Sequence, residues 1–384
     1  MKRNFRKIIP IIIAALSIVF TITLFCPVSA KAANKTVRAS TEKALNKAIK
    51  DPDVTDIYFR TNAYINVTIK SNKSASSKYL TIDAPNADIT NKSVFKGIFI
   101  QESGNYIESA DGNTFEIYDT SALKSFTVAK KKTVKSLTYI NPGQDLARYY
   151  YLRNGAQIEE LYLFYSDGGT PGQGIFDPLT RIMVFNYINK DDAHVSLTYV
   201  LDQNGRVINF KNNHPEFGCE YAYDYDDDGY IVKETFNDMI GKGSTTYEYT
   251  SDHKLAKTAC IAEITNDVLK YNYDKKGNLI STEHCSDGSG KFQKETVNKY
   301  DKNGRLLSRT YTANGNTDVQ EYKYNKKGFL TSYSVHSKGG TITEYKMTIS
   351  YKYNSAGDII KKTVVENGKK TVTKYKYDKL GNRI

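Results

Sequence analysis

Tyr271-Asn272-Tyr273-Asp274-Lys275-Lys276-Gly277-Asn278-Leu279 decides the fold of this chain, because the same grammar comes back. It returns as Tyr322-Lys323-Tyr324-Asn325-Lys326-Lys327-Gly328-Phe329-Leu330 and as Tyr351-Lys352-Tyr353-Asn354-Ser355-Ala356-Gly357-Asp358-Ile359. Tyr375-Lys376-Tyr377-Asp378-Lys379-Leu380-Gly381 is a further copy, and Tyr223-Asp224-Tyr225-Asp226-Asp227-Asp228-Gly229 an earlier one. Tyr300-Asp301-Lys302-Asn303-Gly304 lacks only the first tyrosine, replaced by Asn298. Worn copies sit near Tyr149–Tyr151, Phe176, Tyr199 and Tyr247, the last with His253 where glycine is expected. The residue after the second aromatic falls at 152, 177, 202, 226, 250, 274, 301, 325, 354 and 378, a step of 24 to 29 residues. A fixed period of this length marks a repeat architecture.

Each copy reads as one hairpin. Tyr-x-Tyr places two aromatics on the same face of a strand. Asp or Asn then bonds its own backbone to start a turn, and glycine supplies the positive φ that closes it. The next Leu or Ile restarts the alternation. A second turn, as at Ala313-Asn314-Gly315, Gly339-Gly340 or Glu366-Asn367-Gly368, ends the unit. Tyr345, Met347, Ile349, Tyr351 and Tyr353 share one face, with Lys346, Thr348, Ser350 and Lys352 opposite. About ten hairpins give about twenty strands, and a sheet that wide must twist and curl. The expected fold class is all-β, a curled antiparallel sheet with tyrosines on its inner side. Composition agrees: 31 Tyr, 16 Phe and no Trp suit half-buried strands.

The repeat resembles the YD repeat, also called the Rhs repeat, over about 149–384. In that family long arrays spiral into hollow shells, some enclosing a toxin behind a self-cleaving core motif. The resemblance implies architecture at Tyr225, Gly229, Tyr273, Asp274, Gly277, Tyr300, Asp301, Gly304, Tyr324, Gly328, Tyr353, Gly357, Tyr377, Asp378 and Gly381. No core motif is found here, and Asp177-Pro178 stands at the start of the array rather than its end.

Upstream the grammar differs. Residues 1–32 read as a signal peptide: Lys2, Arg3, Arg6 and Lys7, then the apolar run Ile8–Phe25, then Val28-Ser29-Ala30 and Ala30-Lys31-Ala32 as cleavage tripeptides. An uncleaved anchor, or lipidation at Cys26, are the rivals. All of these readings expect the remainder outside the cell, and the signal-peptide reading expects no membrane span in the mature chain. Residues 34–145 form a separate β module. Glu42–Ile49 reads as a short amphipathic helix, and Asp51-Pro52 stops it. Short β-branched and aromatic segments follow at 57–59, 67–69, 80–82, 98–100, 115–117 and 126–128. Leu80–Asn91 resembles the opening coils of pectate-lyase-like parallel β-helices, and the likeness covers about 34–110; a small sandwich is the alternative. The array is assigned to 146–384.

Net charge is +12, or +8 for a chain cleaved after Ala30, so anionic polymers are natural partners. Many lysines sit in turns, where they also solubilise loops and blunt strand edges. Without an Arg-rich cluster or a basic helical face, nucleic acid is not expected. His194, His214, His253, His284 and His336 make no metal-spaced pair, and no nucleophile–base arrangement emerges. No enzyme and no cofactor are expected. Asp224, Asp226 and Asp228 before Gly229 match the first half of a calcium loop; a merely acidic turn is the other reading. Cys260 and Cys285, one repeat apart, are either a disulfide or buried thiols beside Cys219. These features point to a secreted or cell-surface scaffold that binds an extracellular glycan or protein. An accessory of an Rhs-type toxin-delivery system and a polysaccharide-acting enzyme are the alternatives. An uncapped last strand would favour self-association.

Overall fold

The computed structural model describes residues 35–118, 123–140, 146–148, 150–165, 172–177, 179–188, 194–239, 241–286, 288–313, 315–339, 342–381 and 383–384. The expected leader and Cys26 lie outside the described residues, as do Pro178 and Gly340.

The N-terminal module is a parallel β-helix. One ladder stacks β1 (Lys35–Ala39), β2 (Val54–Arg60), β4 (Tyr79–Ala84), the first half of β6 (Gly97–Glu108), β7 (Asn113–Ile117), β9 (Thr133–Ile140) and β11 (Gln157–Tyr165). A second ladder stacks β3 (Ile65–Ile69), β5 (Ala87–Asn91), the second half of β6, β8 (Leu123–Val128) and β10 (Tyr150–Leu152). Parallel in-register pairing places like residue on like. Ile57, Leu80, Ile98, Phe115, Leu137 and Leu161 form one buried column, and Phe59, Ile82, Ile100, Ile117, Tyr139 and Leu163 another. Val67, Ile89, Tyr106, Phe126 and Tyr150 line the facing ladder. Strands buried inside such a stack need continuous apolar columns, which the short segments supply.

Helix α1 (Glu42–Lys50) caps the first coil. Thr41 Oγ1 accepts from the Ala44 amide, an N-cap bond, and Leu45, Ala48 and Ile49 face inward. Buried Lys78 donates its Nζ to the Asp51 carbonyl at 2.7 Å, satisfying the chain just past the helix.

The β-helix runs further than the sequence suggests. Residues 146–165 are not a worn hairpin unit: Tyr150 pairs with Phe126 and Gln157 with Thr133, both in parallel. The reason is a coincidence of lengths. Leu137 and Leu161, stacked on each other, are 24 residues apart, the same step as the hairpin repeat.

From β12 (Gly172–Asp177) to β28 (Lys369–Lys374) the sheet is antiparallel, 17 strands among the described residues, with β12 also paired to β11. From Asp202 onward the copies with Asp or Asn make the predicted turn, and Thr250 Oγ1 stands in for the side-chain acceptor in the worn copy there. Asp274 Oδ1 accepts from the Lys276 and Asn278 amides, the Asp274 amide donates to the Asn278 carbonyl, and the Gly277 amide donates to the Asp274 carbonyl. Gly277 takes φ 83°, and His253 holds φ 58° at the same place in its worn copy; after Asp177 the positive φ, 58°, falls one residue later, at Arg181. Register slips by one residue after the lysine or equivalent of each Tyr-x-Tyr, as between Asn272 and Tyr273.

The second tyrosine ties one unit to the next. Tyr225, Tyr249, Tyr273, Tyr300, Tyr353 and Tyr377 donate their hydroxyls to the carbonyls of Val207, Ile231, Leu255, Leu279, Leu330 and Ile359, at 2.7 to 2.9 Å. Each acceptor is the residue at which the preceding hairpin turns back. Burial pushes the Tyr249 hydroxyl up to about 12, so it stays a neutral donor.

Turns at both ends of the array meet the β-helix. Tyr150 donates to the Gly205 carbonyl at 2.6 Å and Arg153 to the Gly229 carbonyl at 3.2 Å. At the other end, the Tyr64 amide donates to the Gly328 carbonyl and Asn62 Nδ2 to the Gly357 carbonyl. The β1-to-β11 ladder spans roughly 30 Å, six strand spacings. The sheet between those turns runs about twelve spacings, roughly 60 Å. Tethered at both ends to a shorter splint, it must arch. Tyr64 meets Tyr324 edge to face, centroids 5.2 Å apart, so the tyrosine face is the inner one.

Two measurements check these contacts. Tyr273→Phe removes one clamp bond and should cost about 1 kcal/mol in urea unfolding. Glu108, buried beside Asn91, accepts from the Ala110 amide and from Tyr106, and burial raises its carboxyl to about 7. That value lies above its ordinary 4.5, so the contribution is full below about pH 4.5 and is lost as pH rises through about 7. Glu108→Gln should flatten stability across that window, where the native chain loses on the order of 3 kcal/mol.

Candidate functional site

Beyond Phe236 the array has almost no core. Cys285 and Phe329 are the buried hydrophobic residues there among those described. A single-layer sheet leaves both faces to solvent, and alternation gives them opposite chemistry. Inward point the paired tyrosines, half-buried, together with Thr282, Tyr333, Val335, Met347 and Ile349, placed by register opposite one another. Outward point the middle residues of each triplet: Asp224, Glu248, Asn272, Lys299, Lys323, Lys352 and Lys376, all exposed.

One inner cluster is polar. His284 Nε2 lies 3.1 Å from Asp267 Oδ1, and its Nδ1 lies 3.7 Å from Glu295 Oε1, which also receives the Tyr311 hydroxyl at 3.4 Å. The Glu295 carboxylate raises the Tyr311 hydroxyl. No side chain there is poised as a nucleophile.

The two joints to the β-helix are the best-built polar sites. At the first, the Arg153 guanidinium lies 3.6 Å from the Tyr230 ring centre, and the opposite partner of Tyr230 is His253, stacked at 4.8 Å. Burial lowers the pKa of Arg153. At the second, Arg38 forms a two-pronged bond to Asp358, at 2.8 and 2.5 Å, with side-chain exposures of 10% and 3%. Burial alone would raise the Asp358 carboxyl. The Arg38 and Asn354 hydrogen bonds, with the charges of Arg38 and Arg60, outweigh it and hold the group below the usual range.

The aspartates singled out in the sequence are dispersed. Asp224 is exposed on the outer face of its strand. Asp226 Oδ1 accepts the Tyr230 amide at 2.8 Å. Asp228 faces His253 at 3.5 Å and Lys130 at 3.9 Å. Among the described residues no group of three His, Cys, Asp or Glu is placed to hold a metal. The Cys260–Cys285 disulfide does not form. Cys260 lies on β19 (Leu255–Ala262) and Cys285 on β21 (Leu279–Cys285), with β20 (Thr265–Tyr273) between them. Two strand spacings, roughly 10 Å, exceed the reach of about 7 Å between bridged Cα atoms. One repeat length moves a residue two strands along the sheet, not one.

No protein family matches the chain, and no curated protein does. Among solved structures it is similar to a chain of the Tc holotoxin pore of Photorhabdus luminescens, at 12% identity and TM-score 0.26, over 56% of this chain and 15% of that one. It is also similar to TcdB2–TccC3 without its hypervariable C-terminal region, at 13% identity and TM-score 0.26, over 56% and 14%. A porin-like protein from Bacteroides uniformis matches at 12% identity and TM-score 0.20, over 52% and 95%. The chain thus spans about a seventh of the toxin chains. Scores this low carry no inference about function, and the YD-repeat likeness stays one of motif and hairpin geometry.

Arg38 and Asp358 escaped the sequence reading because they are 320 residues apart. Asp358 had a visible signal: it follows the turn glycine, where other copies carry Asn278, Arg305 or Phe329. Arg38→Ala would strip a buried carboxylate of its ion-pair partner, leaving Asn354 and the charge of Arg60, and should destabilise the protein by about 3 kcal/mol. Because the folded Asp358 value is depressed, the stability it confers is present above its ordinary 3.8 and fades as pH falls through the folded value. Thermal melts of native and Arg38→Ala protein from pH 7 down to pH 3 should therefore converge.

Proposed function

We propose that this chain is a non-enzymatic scaffold of the cell surface or extracellular space that binds a glycan or protein on its arched sheet. What carries the reading is the one-layer sheet: from Gly241 to Lys374 the tyrosine face is half-buried and the opposite face exposed, with Cys285 and Phe329 the buried hydrophobic residues among those described. A fold that only needed stability would cover one face with a second layer. This one holds its shape by turns, tyrosine clamps and the β-helix splint, and keeps the surface free. The basic leader and apolar run support an extracellular setting, where a net positive chain meets anionic polymers. The reading needs no cofactor.

The accessory role in a toxin-delivery system is a second reading. The inward tyrosine face favours it, since half-buried tyrosine rings with polar tips suit contact with a polypeptide. A neighbouring gene for a toxin tip or an immunity protein would support this reading.

A glycan array probed with the purified protein tests the first reading. We expect binding to a subset of extracellular polysaccharides. An array with no bound glycan would falsify the carbohydrate form of the proposal.

A further inference from the structure

Four successive units carry lysine in the middle of the triplet: Lys299, Lys323, Lys352 and Lys376. Each points to the outer face at the same height on its hairpin. Successive units lie two strands apart, so the lysines recur every ~10 Å along a row of ~30 Å. None of the four has an ion-pair partner among the described residues. Upstream the same position holds Asp224, Glu248 and Asn272, and Glu248 is neutralised by Lys257 at 2.7 Å. The row therefore changes sign along its length, and its four lysines make no ion pair among the described residues.

The row does not serve the sheet. Lys352 stands directly across from Lys361 in register. Like charges facing each other across a strand pair destabilise it. A polar uncharged residue would do better at either place if folding were the only demand.

A groove opens where the row begins. It lies between the turns at Asp274–Gly277 and Asp301–Gly304, with a volume of about 560 Å³. Lys275, Lys276, Lys299 and Lys302 line it, with Ile280 on its floor. The two aspartates of those turns are engaged by their own loops: Asp274 by Asn278, and Asp301 by Arg305 at 2.7 Å. Arg305 thus neutralises Asp301, and the four lysines outnumber the one remaining aspartate of the groove, Asp274.

We infer, on the scaffold reading above, that this outer lysine row and its groove bind a linear anionic polysaccharide. The row supplies cations at a regular spacing to a regularly charged chain. Lys299 faces Ser308 and Lys323 faces Ser332 across the hairpins, so hydroxyl groups stand beside the charges for sugar hydroxyls. Exposed Ile280 and Leu307 offer flat apolar surface to the C–H faces of pyranose rings. By alternation, the outward positions from Val297 to Lys374 hold no Phe, Tyr or Arg. Nucleic acid, which is gripped by stacking rings and arginine, fits this face less well.

The test uses the purified protein with polygalacturonate and heparin as probes. Dextran, duplex DNA and anionic phospholipid vesicles are comparison ligands. The triple variant Lys299→Glu, Lys323→Glu, Lys352→Glu changes only exposed side chains. Lys92→Glu, Lys124→Glu, Lys135→Glu makes the same charge change on exposed β-helix positions. We expect the native protein to bind a polyanionic glycan but not dextran. The row variant should lose about ten-fold or more in affinity and the β-helix variant less than about two-fold. Circular dichroism and melting of both variants should match the native protein. Equal losses in the two variants would reduce the effect to net charge and overturn the inference. Equal or tighter binding to DNA or vesicles would overturn it in favour of those partners. Unchanged glycan binding by the row variant would sink the row and leave the scaffold reading standing. Failure of the native protein to bind any glycan would overturn the inference together with the carbohydrate form of the scaffold reading.

Discussion

A one-layer sheet cannot bury its own side chains, and everything in the C-terminal array answers to that constraint. The answer is the tyrosine hydroxyl bonded to the carbonyl where the previous hairpin turns back. Phenylalanine would pack as well on a half-buried face, but it could not make this bond. The ring shields the bond from water, and burial keeps the hydroxyl a neutral donor, so the clamp is worth more than an exposed hydrogen bond. The turn is held in the same way. An Asp or Asn carboxamide or carboxylate oxygen takes two backbone amides, and the loop needs no outside partner. Each unit is thus stabilised by its neighbours in sequence, as in other one-dimensional repeats.

Local clamps fix the pitch of the sheet but not its overall curvature. The β-helix supplies that. Its stacked apolar columns make it the true core of the molecule, and it is roughly half as long as the stretch of sheet attached to it. Arg38–Asp358 at one end and Arg153–Tyr230 at the other are therefore positioned to set how far the sheet arches. A buried, two-pronged arginine pair suits such a joint, because its planar geometry admits few orientations. Stability alone would be served as well by apolar contact.

The sequence made the hairpins plain and the joints obscure, for a physical reason. Tyr273, Asp274 and Gly277 act within one unit, so their spacing is visible locally. The α1 helix was legible too, from Leu45, Ile49 and the stop at Asp51-Pro52. Parallel stacking has no such local mark. Tyr150 aligns with Phe126 through a connection of some twenty residues, and nothing near Tyr150 distinguishes a β-helix rung from a hairpin strand. Of the two readings of Cys260 and Cys285, the disulfide failed on the same point of geometry: period in sequence and adjacency in a hairpin array differ by one strand. Among the candidate surfaces, the lysine row was present in the triplets all along. Alternation puts each lysine opposite its tyrosines, and the pairing register adds that Lys299, Lys323 and Lys352 stand at one height on successive hairpins.

The free rim of the sheet bears on why the basic half lies where it does. β28 pairs only with β27 (Ile359–Glu366) among the described residues, and it carries Lys369, Lys370 and Lys374. An open edge invites another strand, and clustered lysines discourage a second copy of the same edge by repulsion. The same charges raise the local positive potential that the lysine row presents on the adjoining face. Protection against self-pairing and attraction of a polyanion are then two effects of one charge distribution. They part company with salt: screening weakens both, but it exposes the edge to self-association just as it releases the polymer.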